Sequence, residues 1–591
     1  MRSLHSWSLF PIILASIVVH GCTGGAGGDG PGSDGAPGGA GGNELPTAPI
    51  PEGVRCGERN RPAWQLSGHT AFEVQTIVEQ VFGTAAASDP QVRSMFANLP
   101  TELRSKGFDT ENHKVSQQFI DAYVGLVRRL AGLAIENKPV RDAIESFVGV
   151  SCGGTLDLDT GCGINVAKAF ARHVASASVP DDELERLTSQ YAENKSKYQS
   201  SKAYAGFVAS VLLGARSALR FDVAERDASG VVDAKTMGVR LSMVLTGGLP
   251  DRDLREAIDD QSILQDETLR RQAKRLLATG AGRKWLGHFA QQWLNVALVK
   301  SPPPRTGYVA TDDESVQVAQ AAREEVGKIF ANTVVDKRGS LADFYATDDV
   351  SPSHAWLAKL YQTEQSGDVV RAKASSRHGL LTRAAFNLYG TYGDYLPLAH
   401  RGYGVKITML CGSIGALPDM IDKTLPESSP DVMSSREYFA TLTERGSCLG
   451  CHAAMNPFGF AQSAYSVTGE YLTKEVVKNR RTKESVSVDV AQDGRIGLDR
   501  ADVSVANAGD MSDAIGASEE ARACFALRLD QAVLGGPRGV IEEEGGVDDF
   551  LPKDTSCSVR LAAHALNQSS DEGALQNAIL AYVTSLEFKM Q

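Results

Sequence analysis

A glycine-rich segment near the N-terminus limits which part of this 591-residue chain can form a folded body. Between Thr23 and Asn43, eleven residues are glycine, with Ala, Asp, Ser and Pro between them. The glycines do not follow the strict every-third-residue repeat of collagen. Such a segment cannot bury a core and behaves as a flexible linker. We therefore predict that residues 22–55 form a tether and that the folded body begins at about residue 56.

The residues before this tether have the features of an export signal. Arg2 precedes an uncharged apolar stretch at 7–19, which has signal-peptide length and is too short to span a bilayer. Gly21 and then Cys22 follow, and a small residue before Cys resembles the lipobox of bacterial lipoproteins. We predict a signal peptide at 1–21, lipid attachment at Cys22, and a lipid-anchored location in the cell envelope, facing the periplasm or the cell surface. The alternative is an ordinary secreted protein with an incidental Cys.

Most of the body has the apolar periodicity of helices. Residues at helical spacing form stripes, for example Phe119, Tyr123, Leu126 and Leu130; Trp285, Phe289 and Trp293; and Leu575, Ile579, Tyr582 and Leu586. The exception is roughly 469–505, where Val486, Val488 and Val490 alternate with polar residues and Asp493-Gly494 supplies a turn. These patterns predict a mainly α fold of several multi-helical domains with a small β-hairpin insertion.

The charge balance excludes one class of partner. Sixty Lys and Arg residues against 72 Asp and Glu residues give a formal charge of −12. A general nucleic-acid-binding protein needs a basic surface. We therefore expect no nucleic-acid partner.

The sequence Cys448-Leu449-Gly450-Cys451-His452 is a C-x-x-C-H motif. In this motif two thiols form thioethers with haem, and the next His is placed to ligate the iron. We predict one covalent haem c, attached through Cys448 and Cys451, with His452 as the proximal iron ligand. Competing interpretations are a redox C-x-x-C and half of a zinc site. A zinc site needs two more ligands, and the sequence has no second paired Cys/His motif.

Six cysteines remain once Cys22 and the motif are set aside, and six allow 15 pairings. Disulfides persist outside the cytoplasm, so buried free thiols are the less favoured alternative. The spacing favours a local bridge between Cys152 and Cys162. We further expect Cys524 to pair with Cys557, which leaves Cys56 and Cys411 for a long-range bridge.

The sixth iron ligand would decide between an electron carrier and an open haem site. Met511 lies 59 residues after His452 and is one distal candidate, although it is also placed to be a core residue. His400, in what we predict to be a Pro- and Gly-rich loop, is the other. Its neighbour Arg401 is suited to pair with a haem propionate.

The surroundings of the motif resemble a family of exported, cytochrome-c-like multidomain proteins of planctomycetes and myxobacteria, which comprises domains of unknown function 1592, 1588 and 1585. The resemblance rests on these segments: Arg240-Leu241-Ser242, Leu249-Pro250-Asp251, Gln292-Trp293-Leu294, His378-Gly379-Leu380-Leu381-Thr382, Pro397 to Gly402, Leu410-Cys411, Met455 to Ala461, Arg522 to Phe525 and Leu534-Gly535. The chain departs from the family pattern at Asn456, Ser463 and Ser466, where acidic residues are usual. The resemblance implies a haem-c protein but supplies no substrate.

These features predict six segments and three possible functions. The segments are a signal peptide at 1–21, the tether at 22–55, helical domains at 56–235 and 236–365, a haem-motif domain at 366–470 with a cytochrome-c-like segment, and a hairpin with a helical domain at 471–591. The first function is electron transfer by a membrane-anchored mono-haem protein with an unidentified redox partner. The alternatives are a haem c enzyme of peroxidase or oxygenase type, and a surface structural or polymer-binding protein.

Overall fold

The computed structural model places the described residues from Pro51 onward in one compact unit. The expected signal peptide, Cys22, Cys56 and all of the tether except residues 51 and 54 lie outside the described residues. The structure describes residues 51, 54, 67–100, 108, 110, 115–154, 156–158, 160–220, 230–299, 301, 311–390, 396–414, 424–535, 550–552, 555–567 and 572–590.

The first part of the body is a group of helices. Local sequence signals set their ends: the first helix has a capping box, in which the Thr70 hydroxyl accepts from the Glu73 N–H and the Glu73 carboxylate accepts from the Thr70 N–H. Their apolar faces meet in a first hydrophobic core. The helices are Ala71–Ala87, Pro90–Asn98, Gln117–Glu136, Lys138–Val148, Gly161–Val174, Asp181–Lys197, Ser200–Leu213 and Ala215–Ala218.

The central part begins with a helix that is buried on every side. In Ala234–Thr246, all residues from Thr236 onward are buried. Val239 and Met243 belong to the first core, whereas Met237 and Leu241 belong to the main core, so this helix joins the two. The other central helices are Arg252–Asp259, Asp266–Ala278, Gly280–Trp293, Asp312–Val335, Leu341–Tyr345, Ala355–Tyr361 and Ala384–Leu388.

The C-terminal part shares the main core with the central helices. Trp293 stands at the centre of this core, where its ring lies 5.1 Å from Phe525 and 5.8 Å from Phe330. The helices here are Leu398–Gly404, the π-helical Val405–Met409, Ser435–Thr443, Leu449–Phe460, Ala508–Ala517, Glu519–Leu534, Cys557–Asn567, Ala574–Val583 and Leu586–Lys589. The fold is mainly helical, as the sequence predicted.

The predicted hairpin insertion consists of two hairpins instead of one. Lys474–Lys478 pairs antiparallel with Ser485–Asp489, and Gly494–Leu498 pairs antiparallel with Ala501–Val505. The turn expected at Asp493-Gly494 instead connects the two hairpins. The second hairpin turns at Asp499 and Arg500, whose φ angles of 50° and 63° suit a tight two-residue turn. Other short antiparallel pairs are Ser67–Gly68 with Leu219–Arg220, and Asp349–Val350 with Val370–Arg371.

The disulfides confirm one expected bridge and correct two. Cys152 and Cys162 are joined, as their spacing predicted. Cys411, however, is joined to Cys524, so the expected pairings of Cys524 with Cys557 and of Cys411 with Cys56 are wrong. The reason is tertiary: the segment Val405–Met409, which ends two residues before Cys411, packs on the helix Glu519–Leu534, and sequence spacing does not reveal this contact. Cys557 is also disulfide-bonded.

Among the described residues, no helix is both long enough and apolar enough to cross a membrane.

Candidate functional site

The C-x-x-C-H motif begins one of the C-terminal helices. Cys448 ends a 3₁₀ turn, and the motif helix, Leu449–Phe460, follows directly. Cys451 and His452 come three and four residues after Cys448, so the helical path brings all three side chains to one face. All three are half-buried, and both cysteines are thiols. The motif therefore presents two thiols and one imidazole together at the surface.

Two glycines hold the motif helix against the helix Leu398–Gly404. A Cβ at Gly459 would overlap the carbonyl oxygen of Leu398, and a Cβ at Gly402 would overlap the carbonyl oxygen of Met455. Glycine is therefore required at both positions for the backbones to approach so closely. The close crossing fixes the position of the motif helix relative to the main core.

A second helix supports the motif helix from another side. This brace helix, Ser435–Thr443, begins with a capping box between Ser434 and Glu437. Its Phe439 ring meets the His452 imidazole edge to face, with the ring centres 5.5 Å apart. The contact restricts rotation of the imidazole.

The hydrogen bonds around His452 determine which ring nitrogen carries the proton. Nδ1 of His452 lies 2.9 Å from Oδ1 of Asn456, and Nδ2 of Asn456 donates to Oγ1 of Thr443 at 2.9 Å. The Thr443 hydroxyl donates its own proton to the Phe439 carbonyl at 2.7 Å, so it must accept from Asn456. The amide oxygen of Asn456 is thus the atom that faces His452, and Nδ1 carries the proton. The lone pair of the neutral imidazole is then on Nε2, to which no described residue is hydrogen-bonded.

These residues fit a c-type haem. Covalent attachment needs two thiols at this spacing, and iron ligation needs an imidazole nitrogen with a lone pair. Cys448 and Cys451 supply the thiols, and Nε2 of His452 supplies the nitrogen. In the described part of the chain, no three His, Cys, Asp or Glu side chains are arranged to hold a metal ion by themselves.

The side chain of Arg401 lies among backbone carbonyls. Its side chain is 2% exposed, and burial lowers its pKa to about 9. The two terminal nitrogens donate to four backbone carbonyls, those of Asn387, Gln462, Tyr465 and Ser466. The guanidinium therefore joins the helix Leu398–Gly404 to Asn387 and to the turns that follow the motif helix. The pairing of Arg401 with a haem propionate stays a prediction.

The two distal candidates occupy different environments. Met511 is fully buried in the main core, on the helix Ala508–Ala517. His400 is exposed, on the helix Leu398–Gly404 rather than on the predicted loop. The assignment of either residue as the sixth iron ligand stays a prediction.

Sequence reasoning overlooked two residues of this site. Thr443 and Phe439 precede the motif and belong to no signature of it. Asn456 stood out only as a departure from the family pattern, although its position four residues after His452 on a helix is the signal that identifies it as a neighbour.

Two family models match parts of this chain. Residues 232–363 match the family model PSD4, a protein of unknown function (DUF1592). Residues 377–475, which contain the whole motif helix, match PSCyt3, a protein of unknown function (DUF1588). Both matches belong to the group of cytochrome-c-like domain families that the sequence resembles. This confirms the resemblance for DUF1592 and DUF1588, while a closing DUF1585 domain stays a prediction. No curated protein and no solved structure matches the chain.

Proposed function

We propose that this chain is an exported, lipid-anchored protein that carries one haem c and transfers electrons to or from a redox partner. The observation that carries the proposal is the hydrogen-bonded series from Thr443 through Asn456 to Nδ1 of His452, which leaves Nε2 available to ligate iron. The two thiols beside it and the location of the motif in the DUF1588 domain support the same conclusion.

Each residue of the site has a defined part in this function. Cys448 and Cys451 hold the cofactor covalently, and His452 presents its nitrogen to the iron. The haem supplies a one-electron couple. The glycine crossing and the brace helix keep the ligand in one geometry, so little reorganisation accompanies a change of charge.

The anchor and the tether give this function its location. Lipid at Cys22 would hold the protein at a membrane surface, and the tether would let the folded body reach its partner. Both assignments rest on the sequence signals of residues 1–55.

Haem attachment is tested by expressing the full chain with a cytochrome c maturation system and measuring the pyridine haemochrome. We expect one haem per chain that stays attached in denaturant. Cys448→Ser and Cys451→Ser should each remove one thioether, and the double substitution should abolish covalent haem. His452→Ala should change the ligation spectrum, whereas the matched control His564→Ala, on the helix Cys557–Asn567, should not.

Two results would contradict the proposal. A wild-type chain without haem would favour a structural or binding role. A His452→Ala spectrum identical to that of the wild type would show that another residue ligates the iron.

A further inference from the structure

Asn456 is almost completely buried beside the proposed iron ligand. Its side chain is 1% exposed, yet both ends of its amide are hydrogen-bonded. The oxygen faces Nδ1 of His452, and the nitrogen faces Oγ1 of Thr443. A buried amide with both ends satisfied is fixed in place, because rotating it would leave polar atoms without partners.

The direction of this chain of hydrogen bonds is set from the brace helix. Thr443 donates to the carbonyl of Phe439, which belongs to the same helical turn. A rotated amide would direct the Asn456 NH₂ group at His452 and its oxygen at the Thr443 hydroxyl. The hydroxyl would then have to give up its bond to Phe439. The observed orientation avoids this loss and keeps an acceptor in front of Nδ1.

The atom that accepts from Nδ1 is the oxygen of an uncharged amide. Whether the accepting group carries a charge affects the basicity of the His452 imidazole. A hydrogen bond from Nδ1–H to a second group raises the basicity of a metal-bound imidazole. A carboxylate accepts more strongly than an amide oxygen and would raise it further. Greater electron donation to the iron stabilises its ferric state, and hydrogen bonding to axial ligands is one of the means by which proteins adjust haem potentials.

We propose that Asn456 is a positioning residue that sets the electron donation of His452 to the iron, and that Thr443 fixes the orientation of the Asn456 amide. This inference rests on the proposed function. It adds that the uncharged series of hydrogen bonds from Thr443 through Asn456 to His452 keeps the reduction potential of the haem above the value that a carboxylate at position 456 would give.

The test compares the potentials of the full haem-loaded chain and four variants by spectroelectrochemical titration. Asn456→Asp should lower the reduction potential. We expect the ratio of ferrous to ferric protein at the wild-type midpoint to fall about tenfold, which corresponds to a shift of about 59 mV for a one-electron couple. Asn456→Ala removes the acceptor and should shift the potential in the opposite direction. Thr443→Val should shift it in the same direction as Asn456→Ala, by less, because the amide is then free to rotate.

Thr443→Val changes no charge, so its shift separates hydrogen bonding from the field of an added carboxylate. The matched control is Thr441→Val, on the same brace helix but without a bond to Asn456, and it should leave the potential unchanged. If Asn456→Ala does not fold, Asn456→Asp and Thr443→Val still decide the question.

The failure of this inference differs from the failure of the proposed function. Haem-loaded Asn456→Asp and Thr443→Val proteins with the wild-type potential would overturn the inference alone. A wild-type chain without haem would overturn the proposed function and the inference together.

Discussion

Gly459 of the motif helix lies directly against the backbone carbonyl of Leu398, with no room for a side chain between them. The reciprocal contact, Gly402 against the carbonyl of Met455, closes the same crossing. This pair of contacts holds the helix that carries the C-x-x-C-H motif close against the helix Leu398–Gly404.

Gly459→Ala or Gly402→Ala should therefore destabilise the protein. A methyl group at either position must push the two helices apart, which typically costs about 1–3 kcal/mol. Chemical denaturation of the purified chain measures this change in the free energy of unfolding. The matched control is Gly125→Ala, because Gly125 lies within the helix Gln117–Glu136 with open space where an alanine Cβ would lie. That substitution should be neutral or stabilising by up to about 1 kcal/mol, and equal losses at all three positions would contradict the tight crossing.

Loss of the Cys411–Cys524 disulfide should cost more stability than loss of the Cys152–Cys162 disulfide. The first closes a separation of 113 residues and the second a separation of 10. The chain-entropy account gives about 4.7 kcal/mol for a loop of about 100 residues and about 3 kcal/mol for one of about 15. The measurement compares denaturation midpoints of the double alanine variants Cys411→Ala/Cys524→Ala and Cys152→Ala/Cys162→Ala. A greater loss in the second variant would contradict the expected order.

His378 should make the stability depend on pH. Its imidazole bridges two carboxylates, with Nε2 at 3.0 Å from Asp513 and Nδ1 at 2.9 Å from Asp348, and these hydrogen bonds raise its pKa above 6.5. A group whose pKa rises on folding stabilises the folded state fully below its unfolded pKa, and this contribution disappears as the pH rises through the folded pKa.

The check is urea denaturation of the wild type and of His378→Gln at a series of pH values below and above about 6.5. The wild type should exceed the variant in stability at about pH 5.5, and the difference should shrink steadily above about pH 6.5. Asp513→Asn, which removes one carboxylate, should shift the decline toward lower pH. A difference that grows with pH would show that the imidazole is not held in its charged form.

Arg401→Lys should weaken the structure around the motif helix. An ammonium group cannot donate to four carbonyls in different directions as the planar guanidinium does, so buried carbonyls lose their partners. We expect a loss of roughly 2–4 kcal/mol in the free energy of unfolding. The exposed control Arg495→Lys should change it by less than about 0.5 kcal/mol. An unchanged stability together with a shifted haem potential would instead support the original assignment of Arg401 to a propionate.

Local sequence patterns predicted much of this fold, because the spacing of apolar residues within a segment is enough to identify a helix. The stripe that contains Trp285, Phe289 and Trp293 is a helix of the main core, as its spacing indicated. Long-range pairings were harder to predict. The bond between Cys411 and Cys524 depends on how distant helices pack, and two left-handed residues, Asp499 and Arg500, form a turn without glycine.

The same distinction applies to the candidate site. The motif itself could be read from five adjacent residues, since its chemistry is local. The role of Asn456 depends on Thr443, which lies on another helix, and the role of Arg401 depends on carbonyls from separate turns. The planar guanidinium suggested a haem contact for Arg401, and its burial against four backbone carbonyls, which the sequence does not reveal, gives it a structural role.

The most direct test of the account is the absorption spectrum of the mature, purified chain in its ferric and ferrous states, with and without carbon monoxide. An electron-transfer protein with both axial positions filled should give a low-spin spectrum. Its reduction and reoxidation should be fully reversible, and its spectrum should not change when carbon monoxide is added. A high-spin spectrum that shifts when carbon monoxide is added would contradict electron transfer and indicate an open catalytic haem, and a spectrum without any haem band would contradict the account as a whole.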